Sequence, residues 1–594
     1  MAMTWTDAQR AAIDTKDQTL LVSAAAGAGK TAALTERLIR RLTDKENPAH
    51  IDRMLIVTFT RAAASELRER IAKALSEALA RDPGSRHLSE QIVRLSEAKI
   101  CTIDAFFLDV VRSNFALVGL PPKFRMADNA ELTVLKNSVM NETIERFYRK
   151  GNEYGRFFDH FSKVRSDRNL AEVFLSLYSD LGRHPEGLSF LKKNAQTMRD
   201  GAEQDYFSTP FGAVSRRYTE SLLDAAISMF ENALAYAVTY EPMDKAYTPF
   251  FSEELAFCRT LRETVRGGDY SASRELLLSY APRRIATIKK GTATEDTERY
   301  KELRKKFNDD IRAMKKDRFL LSAPDIRRAM LDSADVSERL YELLTAYDER
   351  IRTEKLRRAI CDFDDVRLHT YALLVDENGA PTPLARSYAE HFDEIYIDEY
   401  QDVDSIQDLI FRAIAKPNNR FLVGDIKQSI YGFRGANPDV FASYRERFPK
   451  YGSEDAKDSP ASAIYMSDNF RCDSPIIRFT NTVCGTIFAT CEGGLAYRPE
   501  DDLIASKKLS DGYVPHKVEV VLLSSEAKKA HADAEKNGEA VDPLPPMAEE
   551  SEAAYITARI RALLKNGTKA DGTPILPRDI AILSRSGSTL KTVA

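Results

Sequence analysis

What this 594-residue chain lacks bounds it first. It has no run of 18 apolar residues, so no helical membrane span is expected. Its first ten residues carry no basic-then-apolar leader, so no secretory signal is expected either. The six cysteines, at 101, 258, 361, 472, 484 and 491, form no Cys-x-x-Cys pair, which argues against a zinc site and against a disulfide framework. A reducing cytoplasm is therefore the expected setting. Positive charge is not in excess: 86 Lys and Arg stand against 90 Asp and Glu, a formal net charge of −4. That balance argues against binding a polyanion by bulk charge. Contact with nucleic acid would need a local basic groove, or stacking along a single strand. What remains is a globular composition, 43% hydrophobic and 30% charged, at a length that suits about three to five domains.

The first hundred residues alternate between strand and helix patterns. Thr19–Ser23 and Met54–Thr58 are short apolar runs of the kind a buried parallel strand needs, each followed by a helix pattern, Thr31–Thr43 and Arg61–Ala80. From about 103 to 393 the chain is long, charged and mostly helical. Within it, Tyr300–Arg318 reads as a helix with a solvated charged face rather than a DNA contact. Strand patterns return at Glu394–Ile397, Phe421–Val423 and Ala463–Met466, with a polar, turn-rich stretch from Tyr451 to Ser462 before the last. Val518–Leu523 and Ile580–Leu583 read as buried strands, and Lys529–Glu550 as a mobile loop. The expected class is α/β: two RecA-like P-loop domains, parallel sheets flanked by helices, with a large mostly helical insertion and an incomplete second domain. The expected division is 1–102 (opening segment of the first RecA-like domain), 103–355 (helical insertion), 356–450 (closing segment of the first domain) and 451–594 (start of the second domain).

Two segments carry phosphate chemistry. Ser23-Ala24-Ala25-Ala26-Gly27-Ala28-Gly29-Lys30-Thr31 follows a strand and opens a helix. Small residues let such a backbone curl so that its N–H groups face phosphate oxygens, with the helix N-terminus behind them. Lys30 would reach the β- and γ-phosphates and Thr31 would ligate Mg²⁺. Glu394–Asp402 is an apolar strand ending in adjacent carboxylates. Asp398 suits the metal, and Glu399 suits the base that orients water. The strict phosphate-loop pattern has glycine at position 24, where this chain has alanine.

Phe421–Ala436 packs a strand, a Gly-Asp turn, an amide, two aromatics and an arginine into one stretch. Its Gly-Asp-x-x-Gln-Ser-Ile-Tyr-x-Phe-Arg-Gly-Ala string resembles motif III of UvrD/Rep-like superfamily 1 DNA helicases. Asp398-Glu-Tyr-Gln-Asp402 resembles their motif II, and Ala24 is what their motif I usually shows. Trp5-Thr-x-x-Gln9 resembles the Q motif, which implies that Gln9 reads the adenine edge. Thr58-Phe59-Thr60-Arg-Ala-Ala-Ala64 resembles motif Ia, implying that Phe59 and Thr60 line the DNA track. Thr102-Ile-Asp-Ala-Phe106 resembles the next DNA-contact motif, with Asp104 where that family has His. Asn469-Phe470-Arg471 resembles motif IV, implying Phe470 near the adenine and Arg471 on the γ-phosphate. The Ala-rich motif I, the helical insertion and Phe124-Arg-Met-Ala-Asp128 resemble AddA-type helicase/nuclease subunits more than UvrD.

The resemblance implies an ATP-dependent, Mg²⁺-requiring helicase or translocase on single-stranded DNA, 3′ to 5′ by analogy. It implies a cleft in which Lys30, Thr31, Asp398, Glu399 and Gln428 meet Arg471 around ATP. Phe59, Tyr431 and Phe433 would stack on bases, beside Thr60, Thr102 and Arg434; for Tyr431, core packing is an equal alternative. An AddB-type partner, duplex DNA ends and double-strand-break repair are implied as well. Motifs V and VI and a nuclease site are not found before Ala594, so the chain is expected to belong to a larger protein, binding Mg-ATP weakly and unwinding poorly by itself. The alternatives are a stand-alone UvrD/Rep-type repair helicase, a catalytically silent DNA-end-binding scaffold, and a P-loop ATPase acting on something other than nucleic acid.

Overall fold

The computed structural model describes residues 4–162, 170–288, 291–490, 497–507, 517–522, 548–569 and 572–584. The α/β portion is a six-stranded parallel sheet flanked by helices. The chain divides into two compact units: Met1–Asp44 with Leu422–Lys427 and Phe448–Ala594, and Lys45–Phe421 with Gln428–Arg447.

In the first unit, β1 (Thr19–Ala24) is buried at all six positions. A strand covered on both faces needs a continuous apolar or small-residue run, and Thr-Leu-Leu-Val-Ser-Ala is one. In the second unit, β2 (Met54–Thr58) is likewise buried throughout and pairs in parallel with β3 (Lys99–Thr102). Two further strands, β4 (Arg125–Met126) and β5 (Ile360–Cys361), pair in parallel and bracket the helical insertion. The insertion therefore leaves and returns at one point. β6 (Glu394–Ile397) pairs with the other side of β2. β7 (Arg420–Gly424) has its first two residues in this unit and its last three in the other. Back in the first unit, β8 (Ala461–Met466) pairs with β1 in parallel, Thr19 opposite Ala461 and Ala24 opposite Met466. The stretch expected to open a second domain thus begins by extending the sheet edge at β1. Beyond it, the only strands among the described residues are the two-residue β9 (Asp468–Asn469) and β10 (Ile504–Ala505), paired with each other.

The insertion is helical, as expected, and holds two hydrophobic cores. One gathers Leu135, Phe147, Phe158, Phe174, Leu343 and Tyr347; the other gathers Phe230, Phe251, Leu261, Tyr270, Phe307 and Phe319. A 35-residue helix, Ala323–Arg357, runs back from the insertion to β5, about 52 Å at 1.5 Å per residue. The charged stretch is the helix Glu295–Asp317, and it is not solvated all round: Arg304, Phe307, Asn308, Ile311 and Met314 form a buried stripe. Arg304 sits in it because Glu254 receives its Nε at 2.9 and 3.0 Å and its Nη2 at 2.5 Å.

Two strand expectations fail. Residues 517–522 and 580–584 are neither strand nor buried, with Leu522 91% and Leu583 96% exposed. An apolar run becomes a buried strand only when neighbours accept its hydrogen bonds, and among the described residues no strand pairs with either. The expected loop Lys529–Glu550 lies outside the described residues up to 547; its last three residues begin the helix Ala548–Asn566.

Candidate nucleotide loop and strand cavity

The phosphate loop is shaped from behind. β1 ends at Ala24, and the chain then turns through Gly27 (φ 74°) and Gly29 (φ 81°), left-handed positions where a side chain is strained. Three successive carbonyls are held from outside the loop. Asn469 Nδ2 donates to Ala26 O at 2.6 Å, Phe470 N to Gly27 O at 3.1 Å, and Gln9 Nε2 to Ala28 O at 3.0 Å. In trans peptides the N–H points opposite the preceding C=O. Holding the carbonyls therefore turns the N–H groups of Gly27 and Gly29 to the other side, while Ala28 N closes a turn onto Ala25 O. The helix Lys30–Thr43 starts at once, with Gly29 as its N-cap, and adds its own N-terminal N–H groups. This is an anion cradle. Lys30 and Thr31 occupy the first turn of that helix, and Thr31 is exposed.

The first unit thus brings together Gln9, the 24–31 loop and Asn469-Phe470-Arg471. Gln9 is buried and largely committed: besides Ala28 O, its Oε1 accepts from Thr6 N at 2.9 Å in a capping box. One N–H and one lone pair remain for a base edge. Asn469, to which the sequence assigned no role, binds both ways. Its Oδ1 accepts from Arg471 N at 2.9 Å and Cys472 N at 2.7 Å. A Cβ on Gly27 would come within 2.9 Å of Asn469 Nδ2 and 3.0 Å of Arg471 Cβ, so only glycine lets the two segments close. Phe470 and Arg471 are exposed beside the loop.

The carboxylates stand in the second unit. β6 delivers Asp398, whose N–H donates to Val57 O at 3.0 Å and whose Oδ1 accepts from Glu399 N at 3.0 Å. Glu399 has φ 52°, left-handed for a residue with a side chain, a conformation worth on the order of 1–3 kcal/mol of strain that only a constraining surround maintains. The turn Tyr400–Asp402 that follows is anchored by Tyr400, fully buried, which donates its hydroxyl to Asp408 at 2.5 Å. Gln428 closes the short turn Ile426–Gln428 and is half-buried.

The expected DNA residues also gather in the second unit. Phe59 and Tyr431 pack with ring centroids 4.7 Å apart and planes tilted by 33°, and Tyr431 and Phe433 lie 5.9 Å apart. Phe433 is 72% exposed, which core packing does not produce. Phe59, Thr102 and Tyr431 line a cavity of about 450 Å³ with Asp104, Phe363 and Arg183. The hydroxyls of Thr60 and Thr102 are N-caps, accepting from Ala63 N at 3.1 Å and Ala105 N at 3.3 Å. Arg434 ends the turn Gly432–Arg434. Four aspartates, at 104, 364, 402 and 404, line the same cavity. Arg367 offsets two of them, at 3.0 Å from Asp404 and 3.1 Å from Asp364. A groove of this composition recognises ring faces better than phosphates. Arg183, from the insertion, was not legible as a lining residue, because it reaches the cavity only through the fold.

Comparison with known proteins identifies the family. Residues 5–449 match the model described as the UvrD/REP helicase N-terminal domain. Three proteins that are each the A subunit of an ATP-dependent helicase/nuclease are similar to this chain. That of Acetivibrio thermocellus is 34% identical over 84% of the chain and 40% of its own length. That of Bacillus velezensis is 32% identical over 98% and 47%, and that of Clostridium botulinum 31% over 94% and 45%. The chain spans less than half the length of these relatives. No helix among the described residues is long and apolar enough to cross a membrane. With the match covering the loop, the acidic strand end and the aromatic segment alike, the chain belongs to the UvrD/REP helicase N-terminal domain family.

Proposed function

We propose that this chain is an ATP-driven motor on single-stranded DNA, the helicase portion of an AddA-type helicase/nuclease. The observation that carries the reading is the phosphate loop, with three carbonyls tied back and its amides turned outward, in a chain that also gathers Phe59, Tyr431 and Phe433, the first two on a cavity wall. Lys30 holds the β- and γ-phosphates and Phe470 packs near the adenine that Gln9 reads. The Thr31 hydroxyl and the Asp398 carboxylate are hard oxygen donors of the kind Mg²⁺ takes. Bound there, the ion neutralises charge on the β- and γ-phosphates. Glu399 orients the water that attacks the γ-phosphorus, the bond to the β–γ bridging oxygen breaks, and ADP and phosphate result. Gln428 senses the γ-phosphate and Arg471 steadies the charge that develops on it. Thr60, Thr102 and Arg434 border the strand. Translocation is 3′ to 5′, and the setting is double-strand-break repair with an AddB-type partner at duplex ends.

The test is ATP hydrolysis with and without single-stranded DNA, with Lys30→Ala beside the wild type. Single strands are expected to raise turnover, and Lys30→Ala to remove it. Turnover indifferent to DNA would point to a P-loop ATPase with another cargo. DNA binding without turnover would point to a scaffold.

A further inference from the structure

Between the acidic strand end and the strand cavity lies a side chain that neither role assigns. Gln401 is 1% exposed. Its carboxamide has two N–H donors, and they are divided between two carboxylates: Nε2 donates to Glu399 Oε2 at 2.9 Å and to Asp402 Oδ2 at 3.2 Å. Its backbone oxygen accepts from Ser429 Oγ at 3.1 Å. Asp402 lines the strand cavity, and so does Tyr431, two residues beyond Ser429. One buried residue therefore touches, through its side-chain amide, the carboxylate assigned to water and a carboxylate on the cavity wall, and, through its backbone oxygen, the segment that carries Tyr431.

We propose that Gln401 is the positioning residue through which a strand in the cavity sets the Glu399 carboxylate. This rests on the motor reading above. The carboxamide is planar and rigid, so a shift of one N–H is a shift of the other. Hydrogen bonds from an amide to carboxylates are charge-assisted, and both of these are part-buried. Glu399 needs such a constraint, because its backbone is left-handed. A base seated on Phe59 and Tyr431 changes what Asp402 and Ser429 face. The arrangement it favours is the one in which Gln401 holds Glu399 toward the water.

The experiment measures kcat and KM for ATP with and without saturating oligothymidylate, together with oligothymidylate affinity by fluorescence anisotropy, for the wild type, Gln401→Leu and Ser429→Ala. Gln401→Leu removes both donors at similar volume. It is expected to lower the ratio of DNA-stimulated to DNA-free turnover by about 10- to 100-fold, the usual cost of losing a group that orients an active-site ligand. KM for ATP and oligothymidylate affinity stay near wild type. Ser429→Ala lowers the same ratio by a smaller factor. An unchanged ratio in Gln401→Leu overturns the proposal. So does an equal fall in both turnover numbers, which is what a merely structural role produces. If Gln401→Leu does not fold, an unchanged ratio in Ser429→Ala overturns it. A wild type that binds oligothymidylate without hydrolysing ATP overturns the motor reading itself.

Discussion

Replacing Arg471 with alanine is expected to lower DNA-stimulated kcat by about 10³- to 10⁵-fold, the range for an arginine that meets a transferring phosphoryl group, while Mg-ATP affinity changes far less. The backbone argument is specific. Arg471 follows a residue whose N–H is fixed to Gly27 O, and its own N–H is fixed to Asn469 Oδ1. Its Cβ therefore starts beside Gly27 of the 24–31 loop. The guanidinium is a rigid, permanently charged fork, so Arg471→Lys should recover only a fraction of the loss. Single-turnover hydrolysis at saturating ATP and oligothymidylate measures it. A loss below tenfold, or one expressed wholly in KM, would place Arg471 away from the γ-phosphate.

The second large effect is on stability. Lys355, at the end of the long insertion helix, is buried, with Nζ 3.0 Å from Asp362 and 2.9 and 2.8 Å from the two oxygens of Asp365. Lys136 adds a contact to Asp362 at 2.8 Å. Burial disfavours both carboxylates, but Lys355 and Lys136 together hold Asp362 well below the usual range. Burial and the charge of Asp362 push Asp365 up to about 6. Lys355→Met leaves Asp365 without its lysine and Asp362 with Lys136 alone, a loss of about 3–5 kcal/mol at neutral pH. The sign with pH follows. Without Lys355 the Asp365 carboxyl, already raised by burial and by Asp362, ionises later still in the folded chain, so its penalty grows as pH rises above the unfolded carboxyl value. The gap to wild type should therefore be widest near pH 7 and narrow toward pH 5. Urea unfolding of both proteins at the two pH values checks it, and a gap that is small or independent of pH would contradict it. Asp362 is the N-cap of the helix Phe363–Leu374, which brings Phe363 and Arg367 to the strand cavity, so the variant should also bind oligothymidylate more weakly.

How much the sequence disclosed depended on how far apart the interacting groups lie. β1, β2, β6 and β7 were legible because a strand buried on both faces is a continuous apolar run, and the helix after the phosphate loop was legible from the loop. The same rule misread 518–522, the described part of Val518–Leu523, and 580–583, since an apolar run does not say whether a neighbouring strand exists. Ala463–Met466 was recognisable as a strand but not as the neighbour of β1, because parallel pairing across more than four hundred residues leaves no local pattern. Side-chain bonds to distant backbone were invisible for the same reason. Nothing near Gln9 names Ala28 O, and nothing near Asn469 names Ala26 O. Arg304 shows the converse: inside a run of charges its burial depends on Glu254, fifty residues earlier.

The central claim is that Lys30 and Asp398 act on one Mg-bound triphosphate. A double-mutant cycle tests it most directly, measuring Mg-ATP affinity for the wild type, Lys30→Ala, Asp398→Asn and the double variant. Residues sharing one ligand and its metal should show a coupling energy of about 0.5–3 kcal/mol. Losses that simply add, to within about 0.3–0.5 kcal/mol, would mean that the lysine and the aspartate serve different ligands, and the motor account would fall.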